Sequence, residues 1–238
     1  EEGSRARGGS RLKEGTEMAQ LATELKVAPP RARPRRDAPD AILEVPLVLS
    51  MRSSAKLTED QFVAFCQQNR DLRIERSAEG DLIIMSPTMD DTDIKNAELT
   101  RQLANWAASD GTGRAFGSSG GFKLPSGATR SPDAAWLRRS RLAALPTGKR
   151  PRFIPLCPDF VVELRSSTDR LPPVKNKMKE WVTNGAQLGW LLDPRQRRVY
   201  VYRPGLPEER LDNPATLSGE PLLPGFVLDV QRVFDATF

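Results

Sequence analysis

The sequence predicts a mixed α/β domain over residues 45–238, preceded by a disordered basic tail over residues 1–44. Two observations predict this class. Residues 159–164 and 188–192 are short and almost continuously apolar, as is typical of strands buried in the centre of a sheet. The stretch between them has apolar residues at helical spacing, so it predicts a helix that crosses over between two strands. A mixed sheet flanked by helices follows from this order of elements.

The composition excludes several classes of chemistry. The 238 residues include no histidine, which rules out a Ser-His-Asp triad and every histidine metal site. Two cysteines are too few for a zinc cluster or a disulfide framework. Any reaction must therefore use carboxylates, Lys, Arg, hydroxyls or a metal ion that prefers oxygen ligands. The net charge of +5 favours polyanionic partners mildly, and an ordinary basic protein is the equally weighted alternative.

The tail differs from the rest of the chain. It contains Gly, Ser, Pro and charged residues without an apolar period, and residues 29–36 read PPRARPRR. Such a segment buries too little apolar surface to offset the entropy of ordering. The arginines could tether nucleic acid or could simply be solvated, and we favour the solvated tail.

The first half of the domain predicts two helices and a hairpin. Thr58 and Gln61 have the spacing of a capping box, so a helix should begin there. Residues 73–77 and 81–85 predict the two strands of a hairpin. A second helix, with Leu99 among its regularly spaced apolar residues, should end at the glycines near residue 111.

The second half predicts strands joined by one crossover helix. Pro172 and Pro173 suit the first turn of this helix, and Asn184-Gly185 suits its end. Met178 and Trp181 belong to its apolar face. The four tryptophans are predicted to be core residues, and the two tyrosines to pack. The predicted strands cover residues 121–124, 131–137, 159–164, 188–192, 198–203 and 225–230.

Four residues of this half carry the candidate chemistry. Asp133 begins one predicted strand, and Glu163 lies near the end of the apolar strand that follows. Neighbouring strands lie about 5 Å apart, so the two carboxylates could meet and bind Mg²⁺. Arg165 is two residues beyond Glu163, on the same face of an extended strand, and could hold a phosphate. Lys177 borders the apolar face of the crossover helix and could turn toward the strand ends.

Each of these residues also has a structural interpretation. Asp133 follows a proline and could cap a turn. Glu163 could pair with Arg165 or with another arginine. Lys177 could be a solvated helix lysine. Spacing alone does not decide between a metal site and these alternatives.

The order of the motifs resembles a known family. Ser131-Pro132-Asp133, followed about thirty residues later by Glu163-Leu164-Arg165, resembles the PD-(D/E)XK nuclease superfamily, with Arg165 at the usual lysine position. The chain more specifically resembles the Uma-type family of bacterial restriction endonucleases. The matching stretches are residues 57–62, 80–88, 130–134, 157–166, 177–181 and 189–194.

The resemblance implies a restriction-endonuclease-like core, a mixed β-sheet flanked by helices. It implies Asp133 and Glu163 as the metal-binding acid pair, and it places the lysine of the family on Lys177. An acid on an early helix can join such sites, and Glu98 is the nearest candidate. A solvent-facing glutamate is the interpretation of Glu98 that we favour.

A basic cluster follows Asp133 in the sequence. Such a cluster could form a rim that contacts phosphates, since phosphate contacts dominate affinity for nucleic acid. A solvated loop is an equally weighted alternative. The cluster comprises Arg138, Arg139, Arg141, Lys149, Arg150 and Arg152.

The sequence and the resemblance together predict an endonuclease that hydrolyses phosphodiester bonds with Mg²⁺ or Mn²⁺ as cofactor. The alternative is a non-catalytic nucleic-acid-binding or dimerisation module of the same fold. We expect nucleic acid as the partner, with DNA favoured, and leave a homodimer open. Lone cysteines and the absence of secretory or membrane-spanning segments favour a cytoplasmic protein without membrane association.

Overall fold

The computed structural model describes residues 46–51, 56–85, 91–146 and 152–237. The predicted tail, residues 1–44, lies outside these residues, so its disorder and the domain boundary stay predictions. Lys149 and Arg150 of the predicted basic rim lie outside them as well.

The described residues form short strands and five helices. The strands are β1 Leu47–Leu49, β2 Arg73–Arg76, β3 Leu82–Met85, β4 Gly113–Gly117, β5 Phe122–Lys123, β6 Thr129–Arg130, β7 Ala134–Arg138, β8 Phe160–Leu164, β9 Leu188–Asp193, β10 Arg198–Tyr202, β11 Glu209–Asp212, β12 Thr216–Ser218 and β13 Val227–Asp229. The helices are α1 Glu59–Gln68, α2 Thr92–Asp110, α3 Arg139–Ala143, α4 Leu171–Thr183 and α5 Val230–Phe234.

The strands form two main sheets. A six-stranded sheet has the order β11-β10-β9-β8-β7-β4, and a five-stranded sheet has the order β1-β3-β2-β6-β5. β8 and β9 are parallel and are joined by α4, as a crossover requires, while the other neighbours in the six-stranded sheet are antiparallel. β12 and β13 form a separate antiparallel pair. No helix in the described ranges is long and apolar enough to cross a membrane.

The six-stranded sheet is buried on both faces. Phe160, Val162 and Leu164 of β8 point to one face, where they pack with residues of α2 and α5. Val161 points to the opposite face, where it packs with Met178 and other residues of α4. Because side chains alternate along a strand, Glu163 shares the face of Val161 and therefore lies under α4.

The predicted class, a mixed α/β fold, is confirmed. Thr58 caps α1 as predicted, since its side chain accepts a hydrogen bond from the Gln61 backbone amide, and the Thr58 backbone amide donates one to Gln61 Oε1. β2 and β3 form the predicted hairpin, and α4 begins with the two prolines in its first turn. Gly111 ends α2 in the left-handed conformation that favours glycine. The tyrosines Tyr200 and Tyr202 are buried, as expected for packing residues.

Several short strands were not predicted, and neither was the division into two sheets. β4 contains glycine at both ends and lacks the alternation that marks a strand. β5 lies within the strand predicted over residues 121–124, but β6 is only two residues long, too short for any periodicity. These strands form because their neighbours in the sheets supply hydrogen-bonding partners, which a local pattern does not reveal.

We predict that Gly113→Ala destabilises the fold by about 1–3 kcal/mol. A Cβ atom at Gly113 would overlap the indole ring of Trp136, which is 2% exposed and rigidly packed. Chemical denaturation measures the free energy of unfolding. The control is Gly117→Ala at the other end of β4, where a Cβ atom would make an ordinary 3.5 Å contact with Thr100. Equal stability of the two variants would contradict this account of the Gly113–Trp136 contact.

Candidate active site

Asp133 and Glu163 meet at one end of the six-stranded sheet. Ala134 of β7 is paired with Val162 of β8 in antiparallel register, so the residue before Ala134 lies beside the residue after Val162. Asp133 Oδ2 accepts a 2.8 Å hydrogen bond from the Leu164 amide, which fixes this carboxylate against the end of β8. The two predicted acids are thus brought together, and both are largely buried.

Helix α4 brings two donors to Glu163. The Lys177 ammonium lies 3.0 Å from Glu163 Oε1, and the Trp181 indole donates a 2.8 Å hydrogen bond to the same oxygen. The two residues are one helical turn apart, so they present side chains on one face of α4. Lys177 therefore turns inward, as one of the two sequence interpretations expected, and is not a solvated lysine.

Three residues that the sequence analysis missed complete the surroundings of Lys177. Glu75 of β2 is 1% exposed and accepts hydrogen bonds from Lys177 Nζ at 2.9 Å and from the Ser131 amide at 3.1 Å. Arg130 lies between Glu75 and Glu180, at 3.2 Å and 2.7 Å from their carboxylates. Arg73 Nη1 lies 3.2 Å from Asp133 Oδ1. The hairpin β2–β3 thereby contributes one carboxylate, Glu75, and one cation, Arg73, to the site.

Among the residues that the structure describes, these contacts form one buried charge cluster in which carboxylates outnumber cations. Its carboxylates are those of Glu75, Asp133, Glu163 and Glu180, and its cations are those of Arg73, Arg130 and Lys177. The most exposed side chain of the cluster is that of Arg73, at 28%. One negative charge is therefore in excess in a region that is largely shielded from water.

Among the acids of the cluster, Glu163 has a strongly raised pKa. Burial raises the pKa of its carboxyl to about 7; Lys177 opposes this shift, and the negative charges of Asp133 and Glu75 add to it. Burial alone would raise the pKa of Glu75, but Lys177 and Arg130 outweigh it, and the pKa of Glu75 lies below its ordinary value. Burial opposes the charged form of Lys177, yet Glu163 and Glu75 raise its pKa.

The structure does not bring Arg165 to the acid pair. Its guanidinium lies 2.7 Å from Asp193 Oδ2, and its Nε donates to the Asp169 carbonyl at 3.1 Å. Asp193 is fully buried, so this ion pair ties the end of β8 to the end of β9. One interpretation of the sequence was an ion pair between Glu163 and Arg165. Arg165 instead pairs with Asp193. A phosphate contact by Arg165 stays a prediction.

Glu98 makes no contact with the buried charge cluster among the described residues. Its carboxylate accepts two hydrogen bonds from Arg101 and one from Gln102, on the same helix. The hydrogen bond from Arg101 is the main cause of a lowered pKa of Glu98. The Glu98 side chain is 18% exposed, and these partners lie one turn along its own helix. Whether Glu98 binds a metal ion stays a prediction.

Arg138 of the predicted basic rim lies away from the acid pair. Arg138 follows Asp133 by five residues along an extended strand, which corresponds to about 17 Å. Arg138 and Arg141 lie 3.8 Å and 3.0 Å from Asp159 Oδ1, while Arg139 and Arg152 are exposed. Whether these arginines contact nucleic acid stays a prediction, and a contact by Arg138 would be distant from Asp133.

The oxygen atoms of Asp133 and Glu163 suit a hard cation that is bound by two carboxylates and completes its coordination with other ligands. Across the described ranges, no three His, Cys, Asp or Glu side chains are grouped as a ready metal site. Asp133 and Glu163 nevertheless offer oxygen ligands and an excess negative charge. Mg²⁺ commonly binds through one or two carboxylates with water and phosphate oxygens at its other positions. The residues present therefore fit such an ion.

Comparison with known proteins places the chain in a family. The model of the Uma2 family, described as "Putative restriction endonuclease", matches residues 59–231. The chain belongs to this family. The match begins at α1 and ends in α5, so it includes every residue of the buried charge cluster. Among curated proteins, none matches the chain.

Two solved structures are similar to this member of the Uma2 family. The first is described as a "putative nuclease belonging to DUF820" from Anabaena variabilis ATCC 29413, with 22% identity and a TM-score of 0.62. The alignment covers 75% of this chain and 97% of that one, and it supports the fold. The second is a DrdV–DNA complex with 15% identity and a TM-score of 0.33, covering 58% of this chain and 11% of that one. A TM-score this low does not establish a common fold.

We predict that Glu75→Gln destabilises the protein by about 3 kcal/mol, because Lys177 and Arg130 each lose one of their two carboxylate partners while they stay buried. Thermal or chemical unfolding gives the value. Glu209→Gln is the control, since it removes one charge from an exposed ion pair with Arg203 and should change stability by less than about 1 kcal/mol. A Glu75 variant as stable as the control would show that the buried ion pairs contribute little.

We predict that the stability difference between the wild type and Glu163→Gln depends on pH. The pKa of Glu163 is raised from 4.5 to about 7 in the folded protein, so folding favours its protonated form. This contribution is fully present below pH 4.5 and is lost as the pH rises through 7, at a cost of about 3 kcal/mol to the wild type. Unfolding curves of both proteins from pH 5 to pH 8 measure it. Parallel pH profiles would mean that Glu163 is ionised throughout.

Proposed function

We propose that this protein is a metal-dependent endonuclease that hydrolyses phosphodiester bonds in nucleic acid, with DNA as the favoured substrate. The observation that carries the proposal is the buried charge cluster, where Asp133 and Glu163 lie together with one negative charge in excess. Membership of a restriction endonuclease family is consistent with this chemistry. Fold alone would not support it, since one fold serves many activities.

Asp133 and Glu163 would hold the ion, which we propose to be Mg²⁺ or Mn²⁺. Asp133 Oδ1, Asp133 Oδ2 and Glu163 Oε2 each accept one hydrogen bond and keep a second lone pair, so the ligands need not lose every present partner. When bound, such an ion lowers the pKa of water and neutralises charge on a phosphate.

The residues of the chain then have distinct tasks. Lys177 stays protonated, because its pKa is raised, and it therefore serves as a hydrogen-bond donor rather than a general base. Its ammonium can stabilise negative charge that develops on phosphate oxygens in the transition state. Glu75 holds Lys177 in place from the opposite side, and Trp181 fixes the orientation of Glu163.

Neither Arg165 nor the basic rim takes part in the proposed cleavage of the phosphodiester bond. For Arg165 to clamp a phosphate, its guanidinium would have to leave Asp193. Arg138 would contact nucleic acid about 17 Å from Asp133, and so would contribute to affinity rather than to bond cleavage.

One observation favours the second candidate, a non-catalytic nucleic-acid-binding or dimerisation module. The carboxylate oxygens of Asp133 and Glu163 are already engaged by donors of the chain itself, so the acids could serve the fold alone. In that case a metal ion would have no effect on stability, and no cleavage would occur.

The deciding experiment combines a metal titration with a cleavage assay. Mg²⁺ at a hundredfold excess over its dissociation constant should stabilise the wild type by about 2.7 kcal/mol. Plasmid DNA should be nicked only when Mg²⁺ or Mn²⁺ is present. Asp133→Asn should abolish both effects, because it removes a charged ligand. Lys177→Met should keep the metal-dependent stabilisation and reduce cleavage at least a hundredfold, since its role is in the transition state.

The matched control is Glu98→Gln, which removes a carboxylate outside the buried charge cluster. It should leave both metal stabilisation and nicking unchanged. Two results together would refute the nuclease proposal. If neither Mg²⁺ nor Mn²⁺ shifts the melting temperature of the wild type, and if the Asp133→Asn variant is unfolded, the acids are structural.

A further inference from the structure

Arg73 occupies the side of Asp133 that a metal ion would need. Asp133 Oδ2 accepts a 2.8 Å hydrogen bond from the Leu164 amide, which is fixed in the sheet, whereas the partner of Oδ1 is a side chain and can be displaced. Arg73 Nη1 donates to this Oδ1 at 3.2 Å, and Arg73 Nη2 donates to the Ser131 carbonyl. The guanidinium therefore takes the position of a cation at the exposed side of the acid pair.

Arg73 neutralises negative charge in the cluster, but its own hydrogen-bonding groups are not all satisfied. Its positive charge interacts with the carboxylates of Asp133, Glu75 and Glu163. Its Nε, however, is buried and has no hydrogen-bond partner among the described residues. An unsatisfied buried donor is costly, so this conformation is held by charge and not by complete hydrogen bonding.

Arg73 also has a route out of the site. It is the first residue of β2, and its side chain is 28% exposed, against 11% for Arg130 and 13% for Lys177. Lys177 and Arg130 are each clamped between two carboxylates, whereas Arg73 contacts one. Of the three cations of the buried charge cluster, Arg73 can therefore leave at the smallest loss of contacts.

We propose that Arg73 is a displaceable cation, which competes with the divalent ion for Asp133 and, once displaced, binds a phosphate group of the nucleic acid. This proposal rests on the proposed function, since it presumes that Asp133 and Glu163 bind a metal ion. A guanidinium and a divalent cation within a few Å of one carboxylate repel each other strongly. The planar fork of a free arginine matches two phosphate oxygens, which makes phosphate its natural second partner.

The proposal couples two binding events. A phosphate ligand that takes the guanidinium away from Asp133 removes the competitor of the metal ion, so it must raise metal affinity. By thermodynamic linkage the metal ion must raise phosphate affinity by the same factor. The wild-type protein should therefore bind the ion weakly without nucleic acid and more tightly with it.

The test measures Mn²⁺ affinity by isothermal titration calorimetry, with and without a nucleoside 3′,5′-bisphosphate. This probe carries phosphate groups but no internucleotide bond that could be cleaved. Without the probe, Arg73→Gln should bind Mn²⁺ at least about tenfold more tightly than the wild type, because the competing charge is gone. The probe should raise the Mn²⁺ affinity of the wild type severalfold and leave that of Arg73→Gln unchanged.

Two further variants serve as controls. Arg70→Gln removes a charge from an exposed arginine three residues away, which donates a hydrogen bond to the Gln67 carbonyl, and should behave like the wild type. Arg73→Lys keeps the charge and should keep the weak Mn²⁺ affinity. Direct binding of Mn²⁺ by the bisphosphate is the same in every titration and is subtracted.

The outcomes separate this proposal from the proposed function. Equal Mn²⁺ affinity of folded Arg73→Gln and wild type, with no effect of the bisphosphate, overturns the role of Arg73 while leaving the metal site intact. Absence of Mn²⁺ binding by all four proteins overturns the metal site itself. If Arg73→Gln does not fold, the effect of the bisphosphate on the wild type decides, and its absence overturns the proposal.

Discussion

A carboxylate in the middle of a buried sheet is the constraint that organises this protein. Glu163 lies on β8, whose other side chains pack into the two cores on either face of the six-stranded sheet. An isolated charge there would be prohibitively costly, so the chain must supply partners for it. Helix α4 supplies two of them, Lys177 and Trp181, and this requirement fixes the rotation of the helix over the strand.

The same constraint explains how the smaller sheet is attached. Lys177 carries one charge but faces two carboxylates, and the second, Glu75, comes from the hairpin β2–β3. Arg130 then links Glu75 to Glu180 on α4, while Arg73 links the hairpin to Asp133. The two sheets are therefore joined at the site by ion pairs in addition to apolar contacts. A change at any one of these charges alters both the chemistry and the docking of the hairpin.

The sequence predicted the acid pair and the lysine because each stands out from its local pattern. Glu163 interrupts an apolar strand, Asp133 begins one, and Lys177 borders the apolar face of an amphipathic helix. Glu75 and Arg73 give a weaker signal. They alternate with Ile74 in a short hairpin strand, and charges on one face of a hairpin are usually solvated. Their burial depends on a partner that lies 102 residues away from Glu75 in the chain, which no local pattern reveals. The pairing of Arg165 with Asp193 escaped prediction for the same reason.

The negative charges of Asp133 and Glu163 can be neutralised in three ways, and these exclude one another in part. A proton on Glu163 does so below about pH 7, as its raised pKa implies. The Arg73 guanidinium offsets the charge of Asp133, and a bound divalent ion would offset both acids. Because a carboxylate must be ionised to bind a metal ion, the ion competes with the proton as well as with Arg73. Metal affinity at this site should therefore rise with pH through the titration of Glu163. The balance between proton, guanidinium and metal ion follows from burying four carboxylates with three cations in one cluster.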